Sequence, residues 1–279
     1  MEKIKIITDS TSDLPGDIIE KYDIEVLPLL VTFGEETYKD GVDINLKQLL
    51  NKMDEYDEFP RTAQVNPQRF LECYKRYIKE GYKIVSIHLS SKMSGTYQSA
   101  CIAKEMLDTD QIVVIDSLNV TSGLGLLVIK SATLKEEGFN IEKIEEKIKK
   151  TIPHVKSVLI FESLDNLVKG GRLSKTAGII GNILDIKLIL NVEQGEMVVL
   201  DKVRGSKKAI RHILDSLDTI GIKKDETPIL LHIDDEDILE VLSENMVHKN
   251  MDFIKCEVGC VVGVHSGPRA CGIFFIEDY

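Results

Sequence analysis

Apolar residues recur along the first half of the chain in alternating strand-like and helix-like rhythms. Residues 4–8 form a short apolar run that ends in Asp9-Ser10-Thr11-Ser12. Residues 17–22 read as a helix and 24–32 as a second apolar run. Over 45–53, Leu46, Leu49, Leu50 and Met53 share one helical face. Over 67–80, Phe70, Leu71, Tyr74, Tyr77 and Ile78 make an amphipathic stripe, with Gly81 at its stop. A strand over 83–89 runs into the loop Ser90-Ser91-Lys92-Met93-Ser94-Gly95-Thr96, and the next helix carries Ala100, Ala103, Met106 and Leu107 on one side. A strand over 112–115 ends at Asp116-Ser117, and a helix follows from near Ser122 to Gly138. Ile141, Ile144, Ile148 and Ile152 mark one more helix, closed by Pro153.

Strands interleaved with helices predict a parallel sheet covered on both faces. Three of its strands end in hydroxyl-rich loops, at 9–12, 90–96 and 116–122, where such sheets hold their ligands. After about residue 155 the rhythm changes. Residues 155–161 read as a strand, and 186–192 and 196–203 as an antiparallel hairpin around Gln194-Gly195. Helices over 206–217 and 236–247 and strands over 228–233, 253–258 and 270–276 complete a mixed sheet. The expected fold class is therefore α/β with two domains: a parallel-sheet α/β domain at 1–155 and a mixed-sheet α+β domain at 156–279. No Gly/Ser-rich linker sharpens that boundary.

Composition narrows the function. Of 279 residues, 43% are hydrophobic and 29% charged, as in a soluble globular chain. There is no Trp, so Ile, Leu and Val must build the core. A net charge of −11 disfavours nucleic acid and anionic membrane surfaces. Five cysteines and an N-terminus with Asp9 inside any would-be apolar segment point to a reduced, cytoplasmic setting. The longest charge-poor stretch, 177–190, is broken by Asp185 and Lys187, so stable membrane insertion is not expected. Cys256 and Cys260 have no further ligand at zinc-site spacing, and no metal site is expected.

Four constellations could carry chemistry. Ser94-Gly95-Thr96 opens a helix, where unpaired N–H groups and hydroxyls suit a carboxylate or phosphate; plain helix capping is the competing reading. Thr62, just before the helix at Pro67, could cap or donate to a ligand. Lys169-Gly170-Gly171-Arg172-Leu173-Ser174 offers a flexible turn and a planar guanidinium fork, without P-loop spacing. Beyond it, Ile179, Ile180, Ile183, Leu184 and Ile186 read equally as core helix or ligand wall. His265, in Val264-His265-Ser266-Gly267-Pro268-Arg269, stands between apolar segments as a site candidate or a structural turn. Ser94, His265 and Asp116 could in principle form a hydrolytic triad, but there is no nucleophile elbow and no Walker lysine.

In order and spacing, five of these segments resemble the DegV family of bacterial fatty-acid-binding proteins. They are Thr8-Asp9-Ser10-Thr11-Ser12-Asp13-Leu14, Thr62-Ala63-Gln64, residues 90–100, residues 169–174 and residues 263–268. The resemblance runs over about residues 3–278 and implies an acyl tunnel between the two domains. It implies that Thr62 and Ser94, with Gly95, Thr96 and His265, hold the carboxylate of a long-chain fatty acid such as palmitate. It places Arg172 and Arg204 near the headgroup or at the docking face of a separate fatty-acid kinase subunit, which would make the acyl phosphate. The family's pattern is broken at Ala63 (usually Ser), Leu188 (usually Pro) and Arg269 (usually Gly).

The expected function is thus a lipid-binding subunit with no catalysis of its own and no cofactor beyond its bound lipid. The alternative is a serine hydrolase or phosphotransfer enzyme using Ser94 and His265.

Overall fold

The computed structural model describes residues 2–56, 58–173 and 185–279. In chain order, the first part contains β1 (Ile4–Asp9), a 3₁₀ turn (Ser10–Ser12), α1 (Gly16–Lys21), β2 (Glu25–Leu27), β3 (Leu30–Phe33) and β4 (Glu36–Lys39). It continues with α2 (Leu46–Glu55), β5 (Arg61–Ala63), α3 (Pro67–Lys79), β6 (Lys83–His88), α4 (Thr96–Leu107), β7 (Ile112–Asp116), α5 (Thr121–Glu136) and α6 (Ile141–Thr151). The second part contains β8 (Val155–Phe161), α7 (Asp165–Gly170), β9 (Ile186–Glu193), β10 (Glu196–Arg204), α8 (Ser206–Ile220) and β11 (Ile229–Ile233). It closes with α9 (Glu236–His248), β12 (Ile254–Glu257), α10 (Cys260–Ser266) and β13 (Ala270–Ile276).

The fold is α/β, with a parallel-sheet domain and a second domain built on a mixed sheet. Every position of β1 is buried, as a strand covered on both faces requires. The parallel sheet runs β2-β1-β6-β7, all within residues 4–116. The second sheet runs β10-β9-β8-β13-β11-β12, antiparallel except for β11 with β12. The β9–β10 hairpin turns at Gln194-Gly195, both with positive φ, which matches the right-handed twist of its strands.

Several helices begin where a side chain can satisfy free N–H groups. Asn45 and Gln48 form a reciprocal capping box on α2, Asn66 caps α3 ahead of Pro67, and Asn140 caps α6. Helix α5 is buried all round from Thr121 to Val128 and carries its charges, Lys130, Lys135 and Glu136, in its second half. Such a helix needs cover on every side. It lies between the two sheets, with Gly123 against the Phe274 ring and Gly125 against Leu14. A single hydrophobic core runs through it from Ile6 and Ile87 to Leu159 and Phe274. A smaller core packs α8 and α9 on the other face of the second sheet through Ile213, Leu242 and Phe275.

Three local expectations change. The run over 24–32 is two strands in different sheets: β2 pairs with β1, and β3 pairs with β4 and β5. Pro28, with no N–H to give, stands at the break. The three-stranded sheet β4-β3-β5 is absent from the sequence reading because β5 is a short polar strand with no alternation. The segment around His265 is a helix, not a turn at a strand end: its apolar run, punctuated by Gly259 and Gly263, folds as α10. The candidate wall at 179–184 lies outside the described residues, while Ile186 opens β9.

Candidate functional site

The loops that follow β1, β6 and β7 meet β5, α7, the β9–β10 hairpin and α10 around a cavity of about 150 Å³. Its walls are mostly apolar, among them Leu29, Leu89, Met93, Val120, Leu167 and Met197. One end gathers Thr62, Ser94, Gly95, Arg172 and His265. Seven segments drawn from Thr11 to Ser266 thus converge on the carboxyl ends of parallel strands, where an open sheet leaves a crevice.

Thr62 projects from β5, opposite Val31. Its Oγ1 lies 2.9 Å from His265 Nε2, joining β5 to α10. The His265 ring rests over Gly170, and a Cβ there would lie well inside contact distance of Nδ1. Nδ1 is buried and has no hydrogen-bond partner among the described residues. Burial, and then the nearby Arg172 guanidinium, push the imidazole down to about 4, so the ring is neutral at pH 7.

Ser94 Oγ accepts the Thr96 N–H at 3.2 Å and lies 3.0 Å from Thr96 Oγ1. Local capping and exposure to the cavity therefore coexist at Ser94. Thr96 is fully buried and supports Ser94 rather than lining the cavity. Gly95 is needed sterically, because Gln64 packs directly on its Cα while donating to Ser99 Oγ at 3.0 Å. Arg172 donates from Nε to Met93 O at 3.2 Å and from its guanidinium to Gly170 O. Among the described residues it has no carboxylate partner, although it lines the cavity. Arg204 lies apart, exposed at the end of β10, with Nε 3.8 Å from Asp185 Oδ2.

The structure does not assemble Ser94, His265 and Asp116. Asp116 Oδ1 accepts from the N–H groups of Ser91 and Leu118, and His265 turns its ring to Thr62 and Gly170. A different Ser–His–Asp chain exists. Tyr74 donates to Ser86 Oγ at 2.7 Å, Ser86 Oγ is 2.7 Å from His88 Nε2, and His88 Nδ1 is 2.9 Å from Asp9 Oδ2. Because Tyr74 donates to it, Ser86 Oγ in turn donates its O–H to Nε2, and His88 donates from Nδ1 to Asp9. All four side chains are sealed in the core, where no substrate reaches. The chain ends usefully: Asp9 Oδ1 accepts both N–H and Oγ1 of Thr11, fixing a cavity residue.

Gln64, Thr11 and Gly170 are site residues that sequence reasoning did not single out. They stand inside segments already marked, but their part depends on contacts across the fold. The departures have distinct settings. Ala63 presents a methyl to the cavity, and Leu188 is buried in β9 opposite Phe161. Arg269 has φ +58°, a conformation that costs a side chain roughly 1–2 kcal/mol and costs glycine little. An ion pair to Glu162 at 3.2 Å accompanies it.

The model of the DegV family of uncharacterised proteins matches residues 3–278. A DegV domain-containing protein of Clostridium acetobutylicum is 61% identical over 279 residues, covering all of both chains. The crystal structure of DegV from Bacillus subtilis, a fatty acid binding protein, superposes with a TM-score of 0.88 at 28% identity, covering all of both chains. A Thermus thermophilus DegV family protein studied for fatty acid binding gives 0.91 at 28% identity over 99% of each.

Proposed function

The chain belongs to the DegV family, and from that premise we propose that it binds a long-chain fatty acid such as palmitate, with the carboxylate held on Thr62 and Ser94. One observation carries this reading: an apolar-walled cavity whose polar end gathers two hydroxyls, a neutral His265 and an Arg172 with no carboxylate partner among the described residues. A guanidinium held by backbone carbonyls, with no carboxylate partner among the described residues and beside an apolar wall, suits an amphiphile with an anionic end.

The hydroxyls can serve as donors. With His265 donating from Nε2 to Thr62 Oγ1, the Thr62 proton is left for the ligand. With Thr96 donating to Ser94 Oγ, the Ser94 proton is free in the same way. Charge-assisted bonds of this kind contribute roughly 1.5–3 kcal/mol each. Each buried methylene contributes about 0.8 kcal/mol, so the tail dominates affinity and the hydroxyls set orientation. A cavity of about 150 Å³ is the size that accepts a benzene-sized guest. It accommodates the headgroup and first methylenes, and the remaining chain requires the walls to part.

By family likeness, a separate kinase subunit meets the headgroup end and phosphorylates the acid, with Arg172 and Arg204 on the approach. The five unbridged cysteines suit a cytoplasmic setting. The test is palmitate titration of the delipidated protein. Thr62→Val with Ser94→Ala should weaken binding at least tenfold, and unchanged affinity and pose would sink the assignment.

A further inference from the structure

Two buried carboxyl groups outside the cavity meet over one glycine. Asp13 closes the 3₁₀ turn after β1 in the left-handed region, at φ +48°. Asp40 follows β4, its N–H bonded to Leu29 O. A Cβ on Gly259, just before α10, would lie 2.7 Å from Asp13 Oδ1 and 3.3 and 3.4 Å from the two Asp40 oxygens. Only a glycine lets both acids approach this backbone.

The two acids are unequally satisfied. Asp40 Oδ2 accepts from Ser10 Oγ and Oδ1 from the Cys260 N–H, both at 2.7 Å. Among the described residues neither Asp13 oxygen has a partner at full hydrogen-bond geometry; the Thr121 hydroxyl and the Gly259 N–H are the donors that face it, and the residue is only 9% exposed. The surrounding elements bring no cation. From β1 comes Asp9, held by His88 and Thr11. From α5 come the hydroxyls of Thr121 and Ser122. From β12 and α10 come Cys256, whose thiol donates to Asp13 O at 2.6 Å, and Cys260, whose thiol donates to Ile44 O at 3.4 Å. Glu257 stands near Cys256. Among the described residues, neither Asp13 nor Asp40 has a Lys, Arg or His ion-pair partner.

Two carboxylates so close, so buried and without a cation among the described residues cannot both be charged at modest cost. We propose that Asp13 and Asp40 hold one proton between them, and that the neutralised pair is a clasp seating α10, with His265 at its far end, against the turn that carries Thr11. Asp40 already ties both pieces, through Cys260 N–H on α10 and Ser10 Oγ beside Thr11. Charging the pair sets two like charges between them and loosens the cavity wall. Burial first, and the Asp40 charge second, push Asp13 up to about 8, which agrees. Burial raises Asp40 as well. The consequence for ligand binding rests on the fatty-acid reading above; the shared proton does not.

Infrared difference spectra of the ligand-free full chain, wild type minus Asp13→Asn, read the proton directly. Asparagine tolerates positive φ, so the backbone keeps its conformation. Asp40→Asn, which preserves an acceptor for Cys260 N–H, probes the other partner. A protonated carboxyl band at pH 6 that titrates away by pH 9.5 is expected, together with a loss of palmitate affinity of roughly tenfold in wild type and none in Asp13→Asn. Absence of the band at pH 6 in both difference spectra overturns the proposal. Should the band titrate while palmitate binds at neither pH, the headgroup reading falls and the clasp stands.

Discussion

At the scale of single residues, glycines and one histidine shape the site more than its hydroxyls do. Gly170 gives His265 its seat, and Gly95 gives Gln64 its own. Gly170 ends α7 without positive φ, so alanine there suits the helix and is about 1 kcal/mol better in propensity. Gly170→Ala is therefore expected to leave thermal stability nearly unchanged while displacing the His265 ring from Thr62. Palmitate affinity should fall by about tenfold or more, and calorimetric titration showing wild-type affinity would refute the seating role. The sequence marked Gly170 only as half of a flexible turn, because nothing local says that a ring ninety-five residues away rests on it.

At the scale of elements, α5 joins the molecule. The helix itself is plain in the sequence, from near Ser122 to Gly138, and its apolar first half requires burial. Its position between two sheets is not plain, since any apolar partner would satisfy the pattern. The glycines decide how closely the sheets approach. A methyl on Gly123 would lie 2.7 Å from the Phe274 ring. Gly123→Ala should destabilise by about 1–3 kcal/mol through overpacking. That would appear as a lower urea midpoint with an unchanged slope; an unshifted midpoint would show that the interface gives way freely. Helices α2, α3 and α6 were readable to within a residue or two from their periodic apolar stripes, and in the fold Asn45, Asn66 and Asn140 cap them. β5 and α10, which carry Thr62 and His265, were not, being short and held by their neighbours rather than by their own pattern.

At the scale of the whole molecule, two buried groups set opposing pH dependences. His265 is lowered from 6.5 to about 4, so the unfolded chain binds its proton first and stability falls as pH drops from 6.5 towards 4. Asp13 is raised from 3.8 to about 8, so the native state keeps its proton longer and stability falls as pH rises from 3.8 through 8. Between 4 and 6.5 the two oppose each other, and above 6.5 the Asp13 contribution acts alone. Thermal melting should therefore decline by a few degrees from pH 6.5 to 8.5, and Asp13→Asn should flatten that limb. His265→Gln should remove the opposing loss below pH 6.5 and leave the alkaline limb intact. Equal melting curves for wild type and both variants across this range would contradict the burial of these groups.

The sequence by itself determined the α/β class, the parallel first sheet, the hairpin at Gln194-Gly195 and most helix starts. Hydrophobic period, caps and turn residues act over a few residues and leave a local record. Tertiary structure alone decided that Thr62, Ser94, Arg172 and His265 share one cavity while Arg204 stands outside it. It also decided that the hydroxyl triad with Asp116 is not formed, and that Asp13 and Asp40 meet over Gly259. Those outcomes depend on which surfaces pack across the core, and packing between distant segments is fixed by shape and burial that no stretch of sequence carries alone.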